Sequence, residues 1–311
     1  MKNRQRPPVI VIAGPTAAGK SALALRLAQA LGGVVINADS MQVYRDLRIL
    51  TARPSEADEE AVPHRLYGYV DAGRRYSAIR WRADAVEAIE AVYASGKVPI
   101  VAGGTGFYIE ALTQGLSPMP DVPEDVLLAL AARAEADGLE QVYQAVQACD
   151  PALAERVGPT DRQRLVRALA VYEATGKPLS AWQMLPPEPP PFGSVGFWLN
   201  PPREWLYARC NARLAAMVGE GALEEVAALV DRGLEPSLPA MKALGVAELA
   251  AAARGDIAAE EALAAAQQAT RRFAKRQLTW FRNRFDRFNR IDSQLSESLA
   301  EKIITKIQNN G

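Results

Sequence analysis

Eight residues near the start of the chain, Gly14-Pro15-Thr16-Ala17-Ala18-Gly19-Lys20-Ser21, have the spacing G-x-x-x-x-G-K-[ST]. The chemistry this pattern serves is polyphosphate binding. Its glycines let the loop curl until backbone N–H groups point inward at an anion. The N-terminus of the following helix adds partial positive charge, Lys20 adds a full one, and the Ser21 hydroxyl can ligate a magnesium ion. P-loop nucleoside triphosphatases usually hold that ion with an aspartate at the end of a neighbouring apolar strand. Here the apolar run Val98–Ala102 leads into Gly103-Gly104-Thr105 with no acid, and Asp71 could substitute only from Tyr67–Val70, a poor central strand. The loop therefore reads as a cradle for a polyphosphate, with little to support phosphoryl transfer.

Asp39 follows the apolar run Val34–Asn37. It is either a helix N-cap, because Asp39–Gln42 has capping-box spacing, or a carboxylate beside the cradle that takes a proton from a nucleophile. Thr105 is likewise either a cap or a substrate contact. Between Thr270 and Arg290 eight cations face one acid, Asp286. At helical spacing Arg271, Lys275 and Arg282 share a stripe, Arg272 and Arg276 lie beside it, and Phe273, Trp280 and Phe281 lie opposite. This predicts a helix that packs by its aromatic face and offers the cationic one to a phosphate backbone or to solvent. Arg162, Arg164 and Arg167 form a smaller basic group.

The elements that must position these residues follow from hydrophobic periodicity. Val9–Ala13 reads as a buried strand before the loop, Lys20–Leu31 as a helix stopped by Gly32-Gly33, and Val34–Asn37 as the next strand. A second cycle comprises a helix over Ala83–Ala94 and the strand Val98–Ala102. His64–Val70 is a further short strand, and Val195–Leu199 a late one. This predicts an α/β fold, a P-loop parallel-sheet core. Pro118, Pro120 and Pro123 open a stretch of different character, and five prolines in Pro186–Pro191 close it. Between them the pattern is helical, so residues 116–192 are expected to form an inserted all-helical module in a core built from 1–115 and 193–311. From Arg203 to Lys306 the sequence is almost wholly helical.

Composition removes several classes. Of 311 residues, 36 are Lys or Arg and 36 Asp or Glu, so no net field draws a polyanion and any nucleic-acid contact must be local. Two cysteines and one histidine exclude a disulfide framework and a histidine metal site. No apolar run nears the ~20 residues that span a bilayer. The basic start Met1–Pro8 is followed by too short an apolar stretch for a signal peptide. A cytoplasmic protein without membrane contact is expected.

Six segments together resemble one family, the tRNA dimethylallyltransferases. They are Gly14–Ser21 (GPTAAGKS), Asn37–Tyr44 (NADSMQVY), Pro63–Leu66 (PHRL), Gly103–Tyr108 (GGTGFY), Asp161–Ala168 (DRQRLVRA) and Ala274–Arg282 (AKRQLTWFR). The resemblance implies transfer of a dimethylallyl group from dimethylallyl diphosphate to the exocyclic amine of the adenine 3′ of the anticodon, in tRNAs reading codons that begin with U. It implies that the loop holds the leaving diphosphate, with Mg2+ at Ser21, and that Asp39 is the general base. Thr16, Lys20 and Arg213 would neutralise the diphosphate. Asp39, Ser40, Met41, Gln42, Thr105 and the segment Gln163, Arg164, Leu165, Val166 and Arg167 would contact the tRNA anticodon stem-loop, as would the Arg271, Arg272, Lys275 and Arg276 stripe. A monomer is expected. The chain departs from the family pattern at Gly245-Val246-Ala247-Glu248, where Gly-Tyr and a basic residue are common, and at Gly68, near which an aspartate often stands. On the loop alone the alternative is a small-molecule or nucleoside kinase.

Overall fold

The computed structural model describes residues 6–309, so most of the basic start Met1–Pro8 lies outside the described residues. Strands β1 (Val9–Ala13), β2 (Gly33–Asn37), β3 (His64–Arg65), β4 (Val98–Gly103), β5 (Ser194–Leu199) and β6 (Asn289–Ile291) form one sheet, ordered β3-β2-β4-β1-β5-β6. Every pairing is parallel. β1 is buried along its whole length, as a continuous β-branched run in an α/β sheet requires. Ile10 pairs with Ile100 of β4 on one side and Val195 of β5 on the other.

The parallel α/β architecture is the one expected, with one local correction. The predicted His64–Val70 strand stops at Arg65, because Leu66 takes a left-handed φ of 64° that no ladder accommodates. Val70 rejoins separately through a bridge to Tyr44. The C-terminal region is almost wholly helical, as expected, with one exception. Its three-residue β6 extends the sheet by pairing Phe197 with Asn289 and Leu199 with Ile291.

The chain divides into two compact units, one running to Thr113 and resuming at Pro190, the other Gln114–Pro189. The second holds only helices among the described residues: Glu124–Ala136, Leu139–Cys149, Pro151–Val157, Arg162–Thr175 and Leu179–Gln183. It has its own apolar core around Val146, Leu165 and Val171.

In the first unit a 26-residue helix, Ala259–Arg284, packs against the helices Arg203–Gly219 and Val246–Ala253. Its inward row is Ala262, Ala266, Thr270, Ala274, Gln277, Leu278 and Phe281. The expected aromatic packing face is thus corrected: Phe281 is buried, whereas Phe273 and Trp280 are only partly so. Small side chains let the helix approach its neighbours closely, and that choice rotates the aromatics toward the flank. The loops after β1, β2 and β4 leave neighbouring strand ends at the carboxyl edge of the sheet, where α/β proteins place their sites.

Candidate active site

The loop after β1 is built on strained backbone. Ala17 takes a left-handed φ of 63° although it carries a Cβ, a cost that such loops carry where backbone N–H groups must converge. Contacts from distant elements hold this shape. Gln277 accepts the Thr16 N–H (2.8 Å), and Arg209 donates Nε–H to the Ala17 carbonyl (3.1 Å). Arg213 donates to the Thr16 hydroxyl, and Lys20 donates from Nζ to the Pro15 carbonyl at 2.8 Å. Ser21 is exposed in the first turn of the Lys20–Leu31 helix.

Three cations thus gather at one loop. Burial draws the Lys20 ammonium down to about 8, opposed by Asp39 and reinforced by Arg213. Burial also draws Arg213 below the ordinary arginine range, opposed by Cys210 and Asp39 and reinforced by Arg209. Like charges crowded out of water in this way are what an anion relieves.

Asp39 stands at the end of β2 in a backbone fixed by Asn37, which is wholly buried. Asn37 accepts the Asp39 N–H (2.8 Å) and donates to the carbonyls of Asp39 (2.9 Å) and Leu66 (3.0 Å). The Asp39 carboxylate accepts the Met41 N–H through Oδ1 at 2.9 Å. A tight turn follows instead of a helix, so the capping-box reading gives way to a side-chain-closed turn. Ser40 donates its N–H to Thr105 Oγ1 (2.9 Å), and Thr105 donates its own N–H to the Ala38 carbonyl (3.2 Å). Gln42 spends its amide on the carbonyls of Thr51 (2.9 Å) and Ala52 (2.7 Å).

Gly104 marks where these loops approach one another closely. A Cβ on Gly104 would lie 2.5 Å from Gln277 Nε2, 3.4 Å from Asp39 Oδ2 and 3.5 Å from the Gly14 carbonyl. Asp39, the first loop and Gln277 therefore converge on Gly104.

The stripe on the Ala259–Arg284 helix is outward, with Arg272, Lys275 and Arg276 exposed. Arg271 is partly buried and donates to Asn211 Oδ1 at 2.6 Å, and the Arg276 guanidinium lies 5.5 Å from the Phe273 ring centre. In the helical unit, Gln163 and Arg164 are exposed and Arg167 partly so. Leu165 and Val166 point into that unit's core, which leaves the main chain as their route to RNA, while Gln163 and Arg164 present side chains at the surface.

Gln277, Asn37 and Arg209 escaped notice as individual residues. Gln277 and Asn37 carried a signal, an amide at a position whose spacing assigns it to the core, since buried amides are kept only where both ends are bonded.

The sequence profile described as IPP transferase matches residues 42–284. The chain belongs to the IPP transferase family. A second profile, isopentenyl transferase, matches residues 7–75 and so includes the loop and Asp39. A tRNA dimethylallyltransferase of Rhodopseudomonas palustris is 50% identical over 305 residues, 97% of this chain and 95% of that protein. A crystal structure of a tRNA isopentenylpyrophosphate transferase from Bacillus halodurans superposes with a TM-score of 0.70 at 31% identity, covering 97% of this chain and 96% of the other. A eukaryotic dimethylallyltransferase captured acting on tRNA superposes with a TM-score of 0.80 at 29% identity, over 98% of this chain and 79% of the other. The IPP transferase relatives support prenyl transfer and lend nothing to the kinase alternative.

Proposed function

We propose that the chain transfers a dimethylallyl group from dimethylallyl diphosphate to the exocyclic amine of the adenine 3′ of the anticodon in tRNA. The observation that carries this reading is the approach of the Gly14–Ser21 loop and the Asp39 carboxylate to one point, Gly104, from opposite loops. A C–O bond of the donor breaks, the amine nitrogen bonds the allylic carbon, and the nitrogen's proton passes to Asp39.

An allylic diphosphate ionises readily when its departing charge is stabilised. Lys20, Arg213 and the loop N–H groups supply that stabilisation, and one preorganised donor of this kind typically changes rate by about 10²–10³-fold. Asp39 suits the remaining task, because an exocyclic adenine amine is a poor nucleophile until its proton has somewhere to go. Adenine must leave the base stack to arrive, which costs little in a loop.

Mg2+ fits the donor set offered. Among the described residues no group of three His, Cys, Asp or Glu side chains could hold a metal alone. The Ser21 hydroxyl is a hard oxygen donor of the kind magnesium takes alongside phosphate oxygens and water. Bound there, the ion would neutralise charge on the departing diphosphate. The exposure of Arg272, Lys275 and Arg276 on the long helix, and separately of Gln163 and Arg164 in the helical unit, supports their contact with an RNA backbone.

The test is mass spectrometry of the modified nucleoside after purified protein, magnesium and dimethylallyl diphosphate meet unmodified tRNA. A prenyl mass on that adenine without added nucleotide is expected. Phosphoryl transfer from ATP in its place would revive the kinase reading.

A further inference from the structure

We infer that Gln277 is a positioning residue that sets the distance between the departing diphosphate and the accepting amine, an inference that rests on the proposed prenyl transfer. The residue is buried, only 6% exposed, and both ends of its amide are used across the site. Oε1 accepts the Thr16 N–H at 2.8 Å, and Nε2 donates to the Gly104 carbonyl at 2.8 Å. Those two partners belong to the two loops that matter.

Thr16 lies in the loop that receives the diphosphate, and its hydroxyl is already taken by Arg213. Gly104 precedes Thr105, whose hydroxyl accepts the Ser40 N–H and whose N–H reaches the Ala38 carbonyl, so Gly104 is tied to the turn bearing Asp39. One amide therefore links the leaving-group loop to the loop holding the base. The link comes from the same helix turn whose outer face presents Lys275 and Arg276. RNA seated on that face would press on a helix already bonded to both halves of the reaction centre.

The residue type suits the task. A primary amide accepts at its oxygen and donates from its nitrogen without depending on a protonation state, and asparagine is a methylene shorter. Glutamate keeps the acceptor for Thr16 but meets the Gly104 carbonyl with a second acceptor. Methionine fills similar volume and does neither.

The experiment uses the full chain and the variants Q277M and Q277E. Single-turnover prenylation is measured with tRNA and dimethylallyl diphosphate saturating, tRNA Kd by filter binding, and thermal midpoint in parallel. For Q277M the saturated rate is expected to fall about 10–100-fold, the scale of an ångström of misplacement, while tRNA Kd stays within about threefold. Q277E is expected to fall at least as far and also to bind inorganic pyrophosphate more weakly than Q277M, because its charge sits beside the loop. Unchanged single-turnover rates in either variant would overturn the assignment. So would a loss of tRNA affinity that accounts for the whole rate deficit, or loss of the cooperative thermal transition in both variants, which would make the amide a folding element. Failure of the wild-type chain to prenylate tRNA would instead refute the proposed function.

Discussion

Asn37 and Asp39 exchange two hydrogen bonds: Asn37 Oδ1 accepts the Asp39 N–H at 2.8 Å, and Asn37 Nδ2 donates to the Asp39 carbonyl at 2.9 Å. The same Nδ2 reaches the carbonyl of Leu66, whose left-handed backbone has to be held by something. Asn37→Ala leaves these groups unpaired in a buried place, at a cost of about 1–3 kcal/mol. Urea unfolding should record that loss. The transfer rate should fall further than stability alone explains, because the Asp39 backbone is freed, and Asn37→Asp should not restore it, lacking the donor.

Asp39 itself acts at the reacting nitrogen in the proposed mechanism. Asp39→Ala should reduce turnover by about 10²–10⁴-fold, the range for a lost general base, while tRNA affinity stays largely intact. Single-turnover kinetics alongside binding measurements separate the two effects. Retained turnover would remove Asp39 from the role of general base.

Much of this site was legible from sequence because its parts are local. The loop, its flanking strand and helix, and Asp39 at a strand end are each decided within a dozen residues, so periodicity and spacing suffice. Gln277 acts on Thr16 across 261 positions, and only the fold brings them together. β6 went unseen for a related reason: three residues with one buried side chain make no pattern, and only pairing with β5 makes them a strand. The stop in β3 lies in the backbone of Leu66, a residue type that ordinarily announces no turn. Phe273 and Trp280 lie off the inward row because alanines, whose small side chains carry little hydrophobic signal, make the closest helix contacts.

Lys20 gives the donor site a pH dependence of definite sign. Its ammonium, drawn down to about 8 by burial, is the form that meets an anion. Pyrophosphate affinity should be full below that value and decline above it, approaching tenfold per pH unit. In the unliganded protein the sign is opposite: from about 8 up to the ordinary lysine value the unfolded chain holds the proton more tightly, so stability from this group rises with pH. Calorimetric titration of pyrophosphate into wild type and Lys20→Met, from about pH 7 to about pH 9.5, isolates the lysine. An equal pH dependence in both would remove Lys20 from the anion site.

Arg272 is exposed on the outer stripe, whereas Arg271 beside it is partly buried and bonded to Asn211. Arg272→Ala should therefore weaken tRNA binding in a salt-dependent way and lower the slope of log K against log salt by about 1. Arg271→Ala should instead disturb the contact between its helix and Arg203–Gly219. A deficit at Arg272 that ignores salt would make the stripe structural.

Gly103 and Gly104 are adjacent, yet a methyl group at each should have different consequences. At Gly103 the new Cβ would lie 2.0 Å from the Ala38 carbonyl oxygen and 2.6 Å from its Cα, backbone that cannot yield without parting β2 from β4. The Ala38 N–H already donates to the Ala102 carbonyl at 2.8 Å, and Thr105 N–H bonds the Ala38 carbonyl, so displacement breaks the seam carrying Asp39. Gly103→Ala should cost about 3 kcal/mol, at the upper end for overpacking, and abolish transfer. At Gly104 the methyl would meet Gln277 Nε2 at 2.5 Å, the end of a side chain that can rotate aside. Gly104→Ala should therefore keep most of the thermal stability while losing rate, because the amide that swings away releases Thr16 and Gly104 together. Chemical denaturation and single-turnover kinetics on the two variants read that contrast directly, and equal destabilisation by both would show that the loops, not their distance apart, are what the glycines protect.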